Sequence, residues 1–272
     1  MTNKFFIKPN EEIERITNWI KKYFATNGSL NTKAVIGISG GKDSTVAAAL
    51  LCRALGPERV IAVMMPQGTQ ADIADSYQVC DFLKIPQINR FEFNIENTVS
   101  ALYDFLDYPG PLPSVVTTNT PARIRMVTLY AVAGTVGGRV CNTSNYSERY
   151  VGYSTKFGDS AGDFSLFQNY TATEVVQIGK ALELPKELVE KTPADGLSGK
   201  TDEDNLGFTY EALDNYIRND VYPDYVTYTR IIKAHETSLH KREAIRLPNP
   251  GSPWQYKTNG DKEMVAKSSF NF

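Results

Sequence analysis

An apolar run that breaks at two glycines and resumes as a helix constrains this chain more than any other stretch. Residues 34–38 are apolar and predict a buried strand, and the alanine- and leucine-rich pattern from Ser44 to about Leu55 predicts a helix. Ser39-Gly40-Gly41 lies between them. The unpaired N–H groups and the positive dipole end of a first helical turn face such a loop. The stretch therefore predicts an anion-binding site.

The side chains of this loop indicate a phosphate accompanied by a metal ion. Gly40 and Gly41 let a ligand approach the backbone and permit positive φ angles without strain. Serine hydroxyls at both ends add donors, and Lys42 adds a cation. Asp43 is a carboxylate that would repel a phosphate unless a cation lay between them. We therefore interpret Asp43 as a Mg²⁺ ligand.

The spacing excludes the two commonest glycine-rich phosphate motifs. A P-loop needs Gly, four residues and then Gly-Lys-Ser/Thr, but Gly41-Lys42 precedes Asp43 and no glycine lies five positions before Gly41. The dinucleotide fingerprint GxGxxG is absent as well, since Ser39 follows two positions after Gly37. The remaining Ser-Gly-Gly-Lys-Asp-Ser resembles the pyrophosphate loop of the N-type ATP pyrophosphatases. An ordinary glycine-rich turn between a strand and a helix is the alternative.

Strands and helices alternate over the first half of the chain. Strand patterns at 34–39, 59–65, 88–95 and 138–143 are separated by helix patterns at 44–55, 71–83, 96–106 and 120–134. This order predicts an α/β fold with a doubly wound parallel sheet flanked by helices. Ligands bind outside the carboxyl ends of such strands. Polar or glycine-rich clusters follow three of the four strands, at 39–41, 66–70 and 142–145, which predicts a nucleotide site there.

The rest of the chain divides into less regular segments of one predicted domain, 1–272. An amphipathic helix at 10–26, within an N-terminal segment 10–30, precedes the core at 34–143. Residues 144–243 form a predicted substrate and lid region. They comprise a polar loop at 147–163, a helix at 173–183 with a capping box at Thr171 and Glu174, a surface loop or lid at 192–207, and helices at 209–219 and 223–240. A proline-rich tail spans 244–272.

Composition narrows the cellular context and the partners. The net charge of −2 argues against nucleic acid as the main partner. The three cysteines are scattered without a CxxC pair, which argues for reduced cytosolic thiols and against a zinc or iron–sulfur site. The apolar start of the chain is too short for a secretory signal, and no run approaches transmembrane length. We therefore expect a cytoplasmic protein with no membrane partner.

Further motifs extend the resemblance beyond the superfamily. Residues 66–70 (PQGTQ), 119–126 (NTPARIRM), 155–159 (TKFGD) and 240–242 (HKR), together with 37–44, are similar to the ammonia-dependent NAD⁺ synthetase family. The similarity covers roughly residues 10–243. The chain carries no glutaminase-sized domain, so it resembles the short, ammonia-using form.

The resemblance implies a reaction and its participants. The family joins deamido-NAD⁺, ATP and ammonia into NAD⁺, AMP and pyrophosphate through an adenylated nicotinate. A carboxylate is a poor electrophile, because its leaving group would be oxide; transfer of AMP to it creates a good leaving group. Catalysis then requires positioning and neutralisation of the developing charge. The resemblance also implies a homodimer with the deamido-NAD⁺ site at the subunit interface.

Family roles carry over to matching residues. The resemblance implies that Asp43, Glu148 and Lys156 are catalytic and that Asp43 and Glu148 bind Mg²⁺. The implied ATP contacts are Gly37, Ile38, Ser39, Gly40, Gly41, Lys42, Asp43, Ser44, Thr143 and Thr192. The implied deamido-NAD⁺ contacts are Arg123, Lys156, Asp163, His240 and Lys241. Exposed helix charges at Arg123 and a dipole-favoured basic helix end at 240–242 are the alternatives.

Two departures from the family and three rival functions remain open. Ala172 stands where the family commonly has an ATP-contacting lysine, and we hypothesise that Lys42 replaces that charge. Thr192-Pro193 stands where the family has Pro-Thr, which leaves the phosphate contact of Thr192 open. The rivals are a GMP synthetase-like ligase, a tRNA-modifying ATP pyrophosphatase, and a non-catalytic adenine-nucleotide sensor.

Overall fold

A five-stranded parallel sheet forms the centre of the protein. The computed structural model describes residues 7–70, 73–190 and 201–243. The strands are β1 (Lys33–Gly37), β2 (Val60–Met64), β3 (Arg90–Glu92), β4 (Gly138–Asn142) and β5 (Phe164–Ser165). Their order is β3-β2-β1-β4-β5, and all neighbouring pairs run parallel. The predicted α/β fold class is confirmed.

Alternate residues of each strand point to opposite faces of the sheet, and both faces are covered by helices. In β1, Ala34 and Ile36 belong to one buried cluster, whereas Val35 belongs to the other. Strand β2, which lies between β3 and β1, is buried along its whole length. Burial on both faces explains why the strands read as continuous apolar runs rather than as alternating patterns.

The described helices surround this sheet. Their bounds are α1 (Pro9–Thr26), α2 (Lys42–Leu55), α3 (Ile73–Phe82), α4 (Glu96–Leu106), α5 (Ser114–Val136), α6 (Tyr146–Val151), α7 (Ala172–Ala181), α8 (Lys186–Val189), α9 (Asp202–Leu206), α10 (Tyr210–Asn219), α11 (Tyr225–Thr237) and α12 (Leu239–Arg242). Helices α1, α2, α3, α7 and α8 contribute to the first cluster, and α5 covers the second. None of the helices in the described ranges is long and apolar enough to cross a bilayer.

A third apolar cluster lies away from the sheet and joins the later helices. It contains Val151 of α6, Ala172 of α7, Leu213 of α10 and Ile231 of α11. The capping box of α7, in which Thr171 accepts from the Glu174 N–H, is present as predicted. Glu174 also accepts two hydrogen bonds from Arg218 of α10, at 2.9 and 2.7 Å. This ion pair and the cluster anchor the later helices to the core.

The structure differs from the sequence expectations chiefly in short elements. Helix α6 overlaps the start of the loop predicted at 147–163, and β5 follows directly after that loop. Helix α9 lies inside the predicted loop 192–207. These elements have two to six residues, which is too short for a periodic pattern to form. Helix α5 begins six residues before the predicted 120, because Pro121 is accommodated inside it.

The described residues up to Arg242 form one compact unit. The predicted tail at 244–272 lies outside the described residues. The predicted single domain therefore stays a prediction.

Candidate active site

A cavity of about 780 Å³ opens at the carboxyl ends of β1, β2 and β4. Its wall includes the loop after β1, Pro66 and Gln67 after β2, and Asn142 and Thr143 at the end of β4. The convergence expected from the three polar strand ends is therefore present. All predicted ATP contacts within the described residues line it except Gly40. Thr192 lies outside the described residues.

The loop after β1 has the geometry of an anion cradle. Gly40 has φ +75°, and a Cβ there would lie 2.6 Å from the Cβ of Asp75. Only glycine fits this position without strain. Gly41 does not share this feature: it caps α2 with φ −81°, so the expectation of a positive φ there is wrong. The Ser39 and Ser44 hydroxyls lie 3.1 Å apart, which fixes both donors beside the start of α2.

Two carboxylates from distant parts of the chain share this cavity. Asp43 lies in the first turn of α2, and Glu148 lies in the first turn of α6. The buried Asn145 connects them. Its Nδ2 donates to Asp43 Oδ1 at 3.2 Å, and its Oδ1 accepts from the Glu148 N–H at 3.0 Å. The backbone N–H of Asn145 also donates to Glu148 Oε2 at 3.3 Å, so Asn145 contacts both carboxylates, a role that its position at a strand end did not predict.

The electrostatics of the pair favour a bound cation. Burial and then the neighbouring Asp43 raise the pKa of Glu148 well above its ordinary value, while Lys42 opposes the shift. Lys42 is buried with its Nζ 2.8 Å from Asp43 Oδ2. Burial lowers its pKa, but Asp43 and Glu148 outweigh burial, so the net pKa is raised. The Lys42 ammonium thus lies among acidic groups that repel one another.

The residues present fit a magnesium ion shared with a phosphate. Mg²⁺ in nucleotide sites is held by one or two carboxylates and by phosphate oxygens. Asp43 and Glu148 supply two carboxylates, and Glu148 Oε1 accepts no hydrogen bond from the described residues. Within these residues, no cluster of three or more His, Cys, Asp or Glu side chains could hold a metal without such help. The donor set therefore suits a metal that arrives with a nucleotide.

The cavity also contains residues that were not among the predicted contacts. Asp159, Tyr153 and Asp202 line it, and the Tyr153 hydroxyl lies 3.4 Å from Asp202 Oδ1. Arg125 lines it as well and donates from Nε to the carbonyl of Met65 at 3.0 Å. The motif at 119–126 contains Arg125 and is the sequence feature that could have identified it as a site residue. Asp202 has no comparable sequence feature, because it lies in a run of polar residues.

The residues predicted to contact deamido-NAD⁺ do not line the large cavity. Three of them are linked on the surface beside it. Arg123 Nε donates to the carbonyl of Lys156 at 3.3 Å, and Lys156 Nζ donates to the carbonyl of His240 at 2.5 Å. The predicted catalytic Lys156 is thus separate from the Asp43–Glu148 pair.

The other two predicted contacts are held by the protein backbone. Lys241 Nζ donates to the carbonyls of Gly152 and Ser154, each at 2.8 Å. Asp163 accepts a hydrogen bond from the Val140 N–H at 2.7 Å, which ties the residues just before β5 to β4. Their roles toward a ligand stay predictions.

Comparisons with known proteins agree on one family. The family model described as NAD synthase matches residues 12–248. The NH(3)-dependent NAD(+) synthetase of Thermoplasma acidophilum is 35% identical over 241 residues, which are 85% of this chain and 95% of that protein. The solved NMN synthetase from Francisella tularensis is 32% identical with a TM-score of 0.82, covering 89% of this chain and 99% of that one. The NH3-dependent NAD synthetase from Campylobacter jejuni, at 24% identity, shares the fold with a TM-score of 0.73, covering 89% and 99%.

Proposed function

Because this chain belongs to the NAD synthase family, we propose that it is a ligase that uses ATP and ammonia to amidate deamido-NAD⁺. The products are NAD⁺, AMP and pyrophosphate. The observation that carries the proposal is the shared cavity, in which an anion cradle and two carboxylates meet.

The first step is adenylation of the nicotinate. A carboxylate oxygen of the substrate attacks the α-phosphorus of ATP, and the bond to pyrophosphate breaks. The N–H groups at the start of α2 and the Ser39 and Ser44 hydroxyls face the departing diphosphate. Ammonia then attacks the acyl carbon, AMP leaves, and the nitrogen loses a proton. Holding the reactants in line is the main contribution of the protein.

Asp43 and Glu148 would hold Mg²⁺ together with the phosphates of ATP. When bound, the ion neutralises charge on the phosphate oxygens. Asn145 orients both carboxylates, and the α6 capping box fixes the backbone that carries Glu148. Lys42 supplies a further positive charge at the same end of the cavity.

The surface contacts suggest where the second substrate and a second subunit lie. We infer that Arg123, Lys156, Asp163, His240 and Lys241 contact deamido-NAD⁺ in a homodimer. The exposure of Arg123 and His240, outside the large cavity, supports a site completed by another copy. A cytoplasmic location is supported by the free thiols of Cys52, Cys80 and Cys141, since such thiols persist in reducing compartments.

A second candidate substrate is nicotinate mononucleotide. Among the solved structures described above, the higher TM-score and identity belong to an enzyme named NMN synthetase. Amidation of nicotinate mononucleotide gives NMN by the same adenylation chemistry. The two reactions differ only in whether the nicotinate ribose phosphate continues into an AMP half.

An acceptor panel tests the proposal. The purified protein is given ATP, Mg²⁺, ammonium and one of three acceptors: deamido-NAD⁺, nicotinate mononucleotide or xanthosine monophosphate. We expect AMP and amide in equal amounts with a nicotinate acceptor. AMP release with xanthosine monophosphate alone would indicate a GMP synthetase-like ligase. ATP binding without AMP release from any acceptor would indicate a nucleotide sensor.

A further inference from the structure

A second, smaller cavity of about 200 Å³ lies beside the candidate active site. Three cations, Arg149, Lys241 and Arg242, line it, and the remaining wall consists of serine side chains and Gln168. No acidic residue is among its described lining residues. In a chain with a net charge of −2, this concentration of positive charge indicates a site for an anion.

Two of the cations, Lys241 and Arg242, are held in place by carbonyl oxygens. Lys241 donates to the carbonyls of Gly152 and Ser154, and Arg242 Nη1 donates to the carbonyl of Tyr150 at 3.2 Å. Arg149 differs, because its guanidinium makes no hydrogen bond or ion pair with the described residues. A rigid basic wall with one uncommitted guanidinium is the arrangement that binds a phosphate bidentately.

The small cavity adjoins the large one. Ser144 lines both, and its hydroxyl donates to the carbonyl of Asp159 at 3.0 Å. Asp159 lines the large cavity and interacts electrostatically with Lys241 of the small one. Arg149 also follows Glu148 directly in α6. A ligand whose carboxylate reacts beside Glu148 can therefore place a phosphate in the small cavity.

We propose that this basic pocket binds the 5′-phosphate of the nicotinate ribose, with Arg149 as its principal ligand. This assignment rests on the proposed function. It adds Arg149 as a specificity-determining residue for the acceptor, and it gives the small cavity a ligand of defined chemistry.

The pocket suits a terminal phosphate better than an internal one. A phosphate monoester carries a charge of about −1.5 to −2 at neutral pH, whereas each phosphate of a dinucleotide carries one. Cavities that enclose larger ligands span about 300–1,000 Å³, so a cavity of about 200 Å³ can enclose a phosphate, whereas the AMP half of a dinucleotide would have to lie outside it. Nicotinate mononucleotide is accordingly the acceptor whose recognition should depend most on Arg149.

A thermodynamic cycle on the ligand and on Arg149 tests this. Binding of nicotinate mononucleotide and of nicotinate riboside, which lacks the phosphate, is measured by calorimetry on the full chain without ATP. The proteins are the wild type, Arg149→Leu and Arg149→Lys. Arg53→Leu serves as the control, because Arg53 is an exposed arginine on α2 that pairs with Glu14. Thermal unfolding verifies that each variant is folded.

We expect the loss of affinity to be confined to ligands that carry the phosphate. Arg149→Leu should weaken mononucleotide binding about tenfold to a hundredfold and leave riboside binding unchanged. Arg149→Lys should recover part of the loss, and Arg53→Leu should match the wild type. Deamido-NAD⁺, titrated in parallel, should lose less than the mononucleotide; an equal loss would show that the internal phosphate occupies the pocket and would overturn the preference for a terminal one.

The overturning result for the pocket itself is the same ratio of mononucleotide to riboside affinity in the wild type and in folded Arg149→Leu. Because binding is measured without ATP, this outcome is independent of turnover. Failure of the proposed function appears separately, as absence of AMP release with every nicotinate acceptor. The pocket proposal can therefore fail while the ligase activity stands.

Discussion

The loop after β1 and the substrate region around α6 and α12 are built in different ways. In the loop, the fixing contacts are local: the Ser39 and Ser44 hydroxyls are five positions apart in sequence. In the substrate region, Lys156 contacts the carbonyl of His240 across 84 positions, and Lys241 contacts that of Gly152 across 89. The first region follows from local sequence, whereas the second exists only after the chain has folded.

This difference suggests a division of labour. Under the proposed function, the loop would bind ATP and its departing diphosphate, which the reactions of all acceptors share. The substrate region would bind the acceptor, which varies. Changes in the loop should therefore impair the reaction with every acceptor, and changes in the substrate region should alter the choice among acceptors.

Removing the Asp43 charge should have the largest effect. Asp43→Asn keeps the side-chain shape but deprives the metal of a carboxylate, so AMP release should fall by about a thousandfold or more with every acceptor. Asp81→Asn is the matched control, because Asp81 is an exposed aspartate paired with Arg90. Steady-state AMP release measures both. Residual activity within tenfold of the wild type would contradict the proposal that the loop after β1 serves the reaction with every acceptor.

A glycine substitution tests the second region. Gly152 has φ +66°, and a Cβ there would lie 2.0 Å from the Cβ of Ser238. Gly152→Ala should lower the free energy of unfolding by about 2–4 kcal/mol. Gly137→Ala distinguishes backbone strain from steric clash, because Gly137 has φ +65° but nothing lies within 4 Å of its added Cβ. It should cost about 1 kcal/mol.

Urea unfolding measures both glycine variants, and kinetics at low temperature tests the comparison further. Gly152→Ala should raise the KM for the acceptor more than the KM for ATP. A larger rise for ATP would contradict the separation of the two regions.

Lys42 should have an intermediate effect on ATP. Lys42→Gln removes the buried cation 2.8 Å from Asp43, so the KM for ATP should rise about tenfold through loss of one charge-assisted contact. Lys42→Arg keeps the charge and should retain part of the affinity. Unchanged ATP affinity in Lys42→Gln would remove the hypothesis that Lys42 replaces the family lysine absent at Ala172.

The smallest expected effect is a change in the pH dependence of stability. The folded-state pKa of Glu148 is raised above its ordinary value of 4.5. The Glu148 carboxyl group therefore holds its proton more tightly in the folded protein than in the unfolded chain. Its contribution to the free energy of unfolding is complete below about pH 4.5 and is lost as pH rises through the folded-state pKa. Glu148→Gln should lack this dependence. Urea unfolding of the metal-free wild type and Glu148→Gln, from below pH 4.5 upward, measures this dependence. Free energies of unfolding that change with pH in the same way in both proteins would contradict the raised pKa of Glu148.

The fold and the nucleotide half of the site were largely predictable from sequence. The apolar strands, the amphipathic α1 and the capping box at Thr171 each gave a periodic or positional signal, and the structure confirms them. The polar strand ends also converge as expected, because parallel strands place their carboxyl ends at one edge.

The substrate half was not predictable in the same way. Helix α6 has six residues and β5 has two, so neither produces a periodic pattern. Asn145 contacts Glu148 through the local capping box of α6, but its contact to Asp43 spans 102 positions, which no local pattern encodes. The grouping of Arg149 with Lys241 likewise depends on how α12 packs against the loop after α6.

The central claim is that Asp43 and Glu148 jointly hold a divalent ion with ATP. Electron paramagnetic resonance of Mn²⁺, with a non-hydrolysable ATP analogue, measures this directly for the wild type, Asp43→Asn and Glu148→Gln. We predict one Mn²⁺ site per chain in the wild type, weakened at least tenfold in each variant. Mn²⁺ affinity that is unchanged in both folded variants would contradict the claim.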